Sequence, residues 1–188
     1  MAVAKARKNR RVVADDLETP DGFEVVDGNL VENPSVGTTA SRVATRIVGR
    51  LYNHCEATGA GEVLQGDTPF DCFARPKRHV RKPDLAFVLA ARAATVPDKP
   101  GDYPIRPDLV VEVVSPRERV VHHNAKVRDW LSVRVPLIWV IDPENRVSRV
   151  YVKGAVSEVG EDDPLPVGTV LRGFVLRPRD VLPPAPPP

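Results

Sequence analysis

A chain of 188 residues suits one domain with a sizeable core, and its 42% hydrophobic and 28% charged residues set it apart from disordered and fibrous chains. A net charge of +2 is too small for bulk charge alone to imply a nucleic-acid partner. Two cysteines, Cys55 and Cys72, without CxxC spacing or an apolar leader point to reduced thiols in a cytoplasmic protein, and apolar runs no longer than a strand leave nothing to span a membrane. Residues 1–11 read as a basic disordered arm carrying Lys5, Arg7, Lys8, Arg10 and Arg11, residues 12–181 as a single domain, and residues 182–188 as an extended proline-rich tail.

In chain order, Phe23 to Glu32 reads as a hairpin, because Asp27-Gly28 suits the positive φ angles of a tight turn. Glu24 lies in its first strand, either as an exposed strand residue or as an auxiliary acid. From Thr38 to about Thr58, Val43, Ile47, Leu51 and Cys55 recur every four residues and define an amphipathic helix. Thr38, Thr39 or Ser41 is the expected cap, and Gly59 or Gly61 the expected stop. Short strands are expected around Glu62–Gln65 and Pro69–Phe73. A basic cluster from Arg75 to Lys82 follows, in which Arg78, Arg81 and Lys82 are candidate nucleic-acid contacts. Asp84 then stands at the mouth of the apolar strand Leu85–Leu89, and Ala90 to Pro107 reads as a long connection.

The run Leu109–Val114 has the β-branched character of a strand buried on both faces, yet Glu112 sits within it. Alternation puts that carboxylate on one face with Val110 and Val114, where ionisation costs several kcal/mol unless a cation or donors meet it. Downstream, Lys126 shares a helix face with Trp130 and Val133. Two inward carboxylates and one amine are what metal-assisted phosphodiester hydrolysis requires: oxygen ligands for Mg²⁺ and an ammonium near the nucleophile or the developing charge. His79, His122 and His123 lack the spacing of a four-ligand zinc site. Leu137–Ile141 is a further strand, Asp142-Pro143-Glu144-Asn145 a turn, Arg146–Val152 the hairpin partner, and Lys153–Val181 short strands with glycine turns.

The order Pro83-Asp84, Glu112 in a valine-rich strand and then Lys126 resembles the PD-(D/E)XK nuclease superfamily, and in detail its Uma-two branch of restriction-endonuclease-like proteins. The matching pieces are Phe23–Leu30, Lys82–Val88, Pro107–Pro116, Lys126 and Val135–Pro143, in family order over most of the chain. The resemblance implies an α/β (α+β) restriction-endonuclease-like fold, a mixed central β-sheet flanked by helices. It further implies a Mg²⁺- or Mn²⁺-dependent endonuclease acting on DNA, with Asp84, Glu112 and the Val113 backbone carbonyl on the metal, Lys126 as the catalytic lysine, and homodimerisation. Three positions depart from the pattern: Val114 stands where the signature would put its lysine, His122 stands where an acid usually precedes the shifted lysine, and no histidine occurs near the start of the first helix. His122 is therefore carried as an auxiliary residue beside Glu24, and the last two departures motivate an alternative, a catalytically lapsed module that binds nucleic acid or protein. No GxSxG elbow and no GxxxxGK loop is present.

Overall fold

Strand-length apolar runs and turn residues sort the chain into two sheets. The computed structural model describes residues 10–11, 18–33, 37–115 and 120–184. Most of the expected basic arm, the turn at Pro116 and the last proline-rich residues lie outside the described residues. Strands β1 (Arg10–Arg11), β2 (Phe23–Val26) and β3 (Asn29–Glu32) form an antiparallel sheet in the order β1-β3-β2, so Arg10 and Arg11 pair with β3 where an unpaired arm was expected. Asp27 and Gly28 take φ of 50° and 79°, the twin positive values that make the β2–β3 turn tight.

Helix α1 (Thr38–Thr58) spans the predicted range and buries Ala40, Val43, Ile47, Leu51 and Cys55. Its cap is Gly37, with no side-chain cap bond, where Thr38, Thr39 or Ser41 was expected; Gly59 closes it at φ 65°. The six-stranded sheet runs β4 (Gly61–Gln65), β5 (Leu85–Leu89), β6 (Leu109–Val113), β7 (Leu137–Asp142), β8 (Val147–Val152) and β9 (Ala155–Val159), in that spatial order. Every pairing is antiparallel except β6–β7. That parallel pair needs a crossover, which α3 (Val120–Ser132) supplies; a short α2 (Ala90–Ala93) interrupts the long connection after β5. Pro69–Phe73 forms no strand. Phe70 instead makes isolated bridges to Arg81 and Tyr103, so this segment stitches loops together.

The central strands β5, β6 and β7 are buried on both faces. Leu85, Phe87, Leu109, Val111, Val113 and Trp139 face α1 and the C-terminal segment around Leu171 and Phe174, while Ala86, Val110, Ile138 and Val140 face Trp130 and Val127 of α3. Asp142 accepts from the Glu144 and Asn145 amides at 3.1 and 3.0 Å, the turn-capping role expected of it. Cys55 and Cys72 are free, and burial pushes the Cys72 thiol up to about 12. No helix among the described residues is long and apolar enough to cross a membrane.

Two glycines test this packing with opposite signs. A Cβ on Gly61 would overlap the Val88 carbonyl oxygen and come within 2.8 and 2.9 Å of the Phe87 ring, whereas one on Gly49, exposed in α1, meets nothing within 4 Å. Gly61→Ala is expected to destabilise by roughly 1–3 kcal/mol and Gly49→Ala to stabilise by about 0.5–1 kcal/mol, read from urea midpoints.

Candidate active site

The β5–β6 register pairs Leu85 with Val111 and Ala86 with Val110; one further step sets Asp84 opposite Glu112. The Asp84 Oδ2 accepts from the Val113 amide at 2.5 Å, which ties the start of β5 to the end of β6. On the other side of β5, Gly66 lets the chain leaving β4 approach Asp84 closely, since a Cβ there would lie 2.9 Å from the Asp84 carbonyl oxygen. Glu112 is 2% exposed on the α3 side of the sheet. Trp130 Nε1 donates to its Oε1 at 2.8 Å and Lys126 Nζ lies 3.1 Å from its Oε2. Because α3 presents Lys126 and Trp130 one turn apart, a single helix face supplies both partners.

The Lys126 ammonium also donates to the Lys82 carbonyl at 2.8 Å and stands 3.5 Å from Glu24 Oε1. Glu24 is thus 3% exposed, and its reading as an exposed strand residue is corrected. Its position follows from the paired bonds between Val25 and Val80 at 3.1 and 2.8 Å, which dock the first hairpin against the segment leading to Asp84. Glu24 accepts from Arg81 Nη1 at 2.7 Å and the Lys82 amide at 2.9 Å. Arg81 continues to Asp129 Oδ2 through Nε at 2.8 Å and Nη2 at 2.6 Å; His79 meets the same oxygen at 3.0 Å, and Arg75 pairs with Oδ1. Charges therefore alternate in one line, Glu112, Lys126, Glu24, Arg81 and Asp129, buried up to its end, where the half-buried Arg75 and the His79 ring meet Asp129.

This line explains the acidities. Burial pushes Glu24 upward, but Lys126 and Arg81 outweigh it and hold the carboxyl below its ordinary value of 4.5. Burial likewise opposes ionisation of Asp129, and the His79 and Arg81 bonds overcome it and depress that acid further. For Glu112 the balance reverses: complete burial, helped by the Asp84 charge, prevails over Lys126 and Trp130 and raises it to about 7.

Of the predicted residues, Lys82, Asp84, Val113 and Lys126 line a cleft of about 530 Å³ together with Ser41, Thr45, Gln65, Asp67 and Ser115, and Glu112 lies behind Lys126, outside that lining. Arg78, Arg81 and Lys82 commit nitrogens to internal partners: Arg78 to Asp102 at 2.5 Å, Arg81 to Glu24 and Asp129, and Lys82 Nζ to the Pro20 carbonyl at 3.1 Å. His122 is exposed on α3, away from the buried line. Among the described residues no group of three or more His, Cys, Asp or Glu is placed to hold a metal. The nearby donors, two carboxylates and a backbone carbonyl, are hard oxygens, and Mg²⁺ commonly takes one or two carboxylates and completes its shell with water and substrate phosphate. The residues present fit such an ion. Sequence reasoning missed Trp130 and Asp129 as site residues, although both lie on the Lys126 face at helical spacing.

The family model for Uma2, described as "Putative restriction endonuclease", matches residues 14–179. Among solved structures the chain is similar to a protein from Anabaena variabilis described as "a putative nuclease belonging to DUF820", with a TM-score of 0.74 and 17% identity over 88% of this chain and 92% of that one. At that identity the likeness concerns the fold. No curated protein matches the chain.

Two outcomes are expected. Arg81→Met leaves Glu24 and Asp129 buried without their shared cation and should cost about 3–5 kcal/mol in chemical denaturation. Glu24 and Asp129 have folded values below their unfolded ones, so the stability they confer is present above about pH 4.5 and is lost as pH falls; Glu112 has a raised folded value, so stability declines as pH rises from 4.5 to about 7. Glu112→Gln should remove the neutral-side decline and keep the acid-side loss, read from denaturant midpoints across pH.

Proposed function

The chain belongs to the Uma2 family of restriction-endonuclease-like proteins, and from that premise we propose that it is a divalent-metal-dependent endonuclease hydrolysing phosphodiester bonds in DNA. The observation that carries this reading is the meeting of Asp84, Glu112 and Lys126 at the adjoining ends of β5 and β6, with the ammonium 3.1 Å from the Glu112 carboxylate at the wall of an open cleft. In this reading Asp84, Glu112 and the Val113 carbonyl hold Mg²⁺ or Mn²⁺. Bound there, the ion supplies Lewis-acid polarisation of the phosphate and acidifies an attacking water.

The chain's own residues do the rest. Lys126 orients the nucleophile and offsets charge developing on the phosphate, from a position fixed by the Lys82 carbonyl and by two carboxylates. Glu24 acts behind it as a positioning residue, holding that ammonium in place from 3.5 Å. Both Glu112 oxygens already have a partner and the side chain is 2% exposed, so an ion would have to reach a remaining lone pair beside Lys126. That occupancy favours one second reading, in which this member has kept the fold and become a non-catalytic binding module.

Supercoiled-plasmid cleavage decides between them. Purified protein should nick DNA with Mg²⁺ or Mn²⁺ and not with EDTA, Asp84→Ala and Glu112→Ala should abolish nicking, and Lys126→Ala should slow it by roughly 10²–10⁴-fold with the circular-dichroism spectrum retained. Cleavage that survives Asp84→Ala or Glu112→Ala would sink the assignment.

A further inference from the structure

Helix α1 begins beside the cleft in an unusual state. It is 21 residues long, its cap is Gly37 with no side chain to accept from the first turn, and no acidic residue occupies that turn. The first intrahelical bond there is from the Ser41 amide to the Gly37 carbonyl at 2.9 Å, so the amides of Thr38, Thr39 and Ala40 have no acceptor within the helix. The positive end of the helix dipole is therefore left unneutralised by its own residues.

A second observation lies at the same place. Ser115, just beyond β6, is only 7% exposed, yet its Oγ has no hydrogen-bond partner among the described residues. A buried hydroxyl in that condition is costly and calls for a ligand. Ser115 lines the same cleft as Asp84 and Lys126, and a Cβ built on Gly37 would lie 3.1 Å from its Oγ. The orphaned hydroxyl thus sits against the helix start, at a distance that the missing Cβ of Gly37 allows.

We propose that the start of α1 and Ser115 form a phosphate subsite, which grips a backbone phosphate of the nucleic-acid strand whose neighbour lies at Asp84, Glu112 and Lys126. Uncharged donors at a helix start suit a phosphodiester anion, since amide and hydroxyl groups wrap its oxygens. The nuclease reading supplies the identity of the polymer. The subsite itself rests on Gly37, Ser115 and the free amides.

The test separates the two ideas. Anisotropy of short labelled DNA and RNA duplexes of the same sequence, in EDTA, reads binding without cleavage. Gly37→Asp supplies an N-cap carboxylate that satisfies the amides and repels phosphate, so affinity for the bound polymer should fall about tenfold while the circular-dichroism spectrum stays that of the folded wild type. Ser115→Ala should weaken binding about threefold. Inorganic phosphate should compete with the duplex on the wild type and lose that effect on Gly37→Asp. Variants that bind both duplexes as tightly as the wild type overturn the subsite, as does a wild type that binds neither. Binding that depends on Gly37 and Ser115 without any cleavage in Mg²⁺ or Mn²⁺ upholds the subsite and overturns the nuclease reading instead.

Discussion

The ion pair between Glu112 and Lys126 is the interaction on which the rest depends. A carboxylate inside a strand buried on both faces is tolerable only with a cation beside it, and a buried ammonium in turn needs its own oxygens. Glu24, the Lys82 carbonyl, Arg81 and Asp129 answer that demand in sequence, each compensating the charge before it. The line runs from the central sheet through the first hairpin to α3, so it fixes how three separate pieces of chain sit against one another. The same line sets the acidities: neighbours hold Glu24 and Asp129 ionised, while Glu112, deepest of the three and nearest to Asp84, is left near neutrality.

Much of this was legible from residues alone, wherever a local pattern expressed it. The four-residue recurrence of Val43, Ile47, Leu51 and Cys55 located α1, Asp27-Gly28 located the hairpin turn, and a glutamate among valines announced a buried charge that had to be met. What stayed hidden is what distant segments decide together. Nothing near Phe70 shows that its partners are Arg81 and Tyr103, so its segment looked like a strand and is a junction. Arg81 and Lys82 looked like surface cations because their partners, Glu24, Asp129 and the Pro20 carbonyl, come from far along the chain. Glu24 was ambiguous for the same reason: alternation along one strand fixes a face but not what covers it.

The departures from the family pattern also take on physical meaning. With Val114 in place of a strand lysine, the ammonium arrives from α3, where Trp130 one turn away binds the same carboxylate that Lys126 pairs with. Helix docking and charge placement thereby become one event. The glycine that caps α1 belongs to the same economy of position, because it brings no side chain of its own to the helix start beside Ser115.

The Val25–Val80 bridge carries a kinetic meaning as well. Glu112 and Lys126 belong to one compact stretch of chain around the β6–α3–β7 crossover and can meet early, whereas Glu24 reaches Arg81 across 57 positions and pays the entropy of a large ring closure. Until that ring closes, Arg81 keeps its hydration and Lys126 has Glu112 beside it without Glu24. A nascent or partly folded chain therefore holds the strand and helix of the site before its charge line is complete, and the full set of buried pairs is a late product of folding.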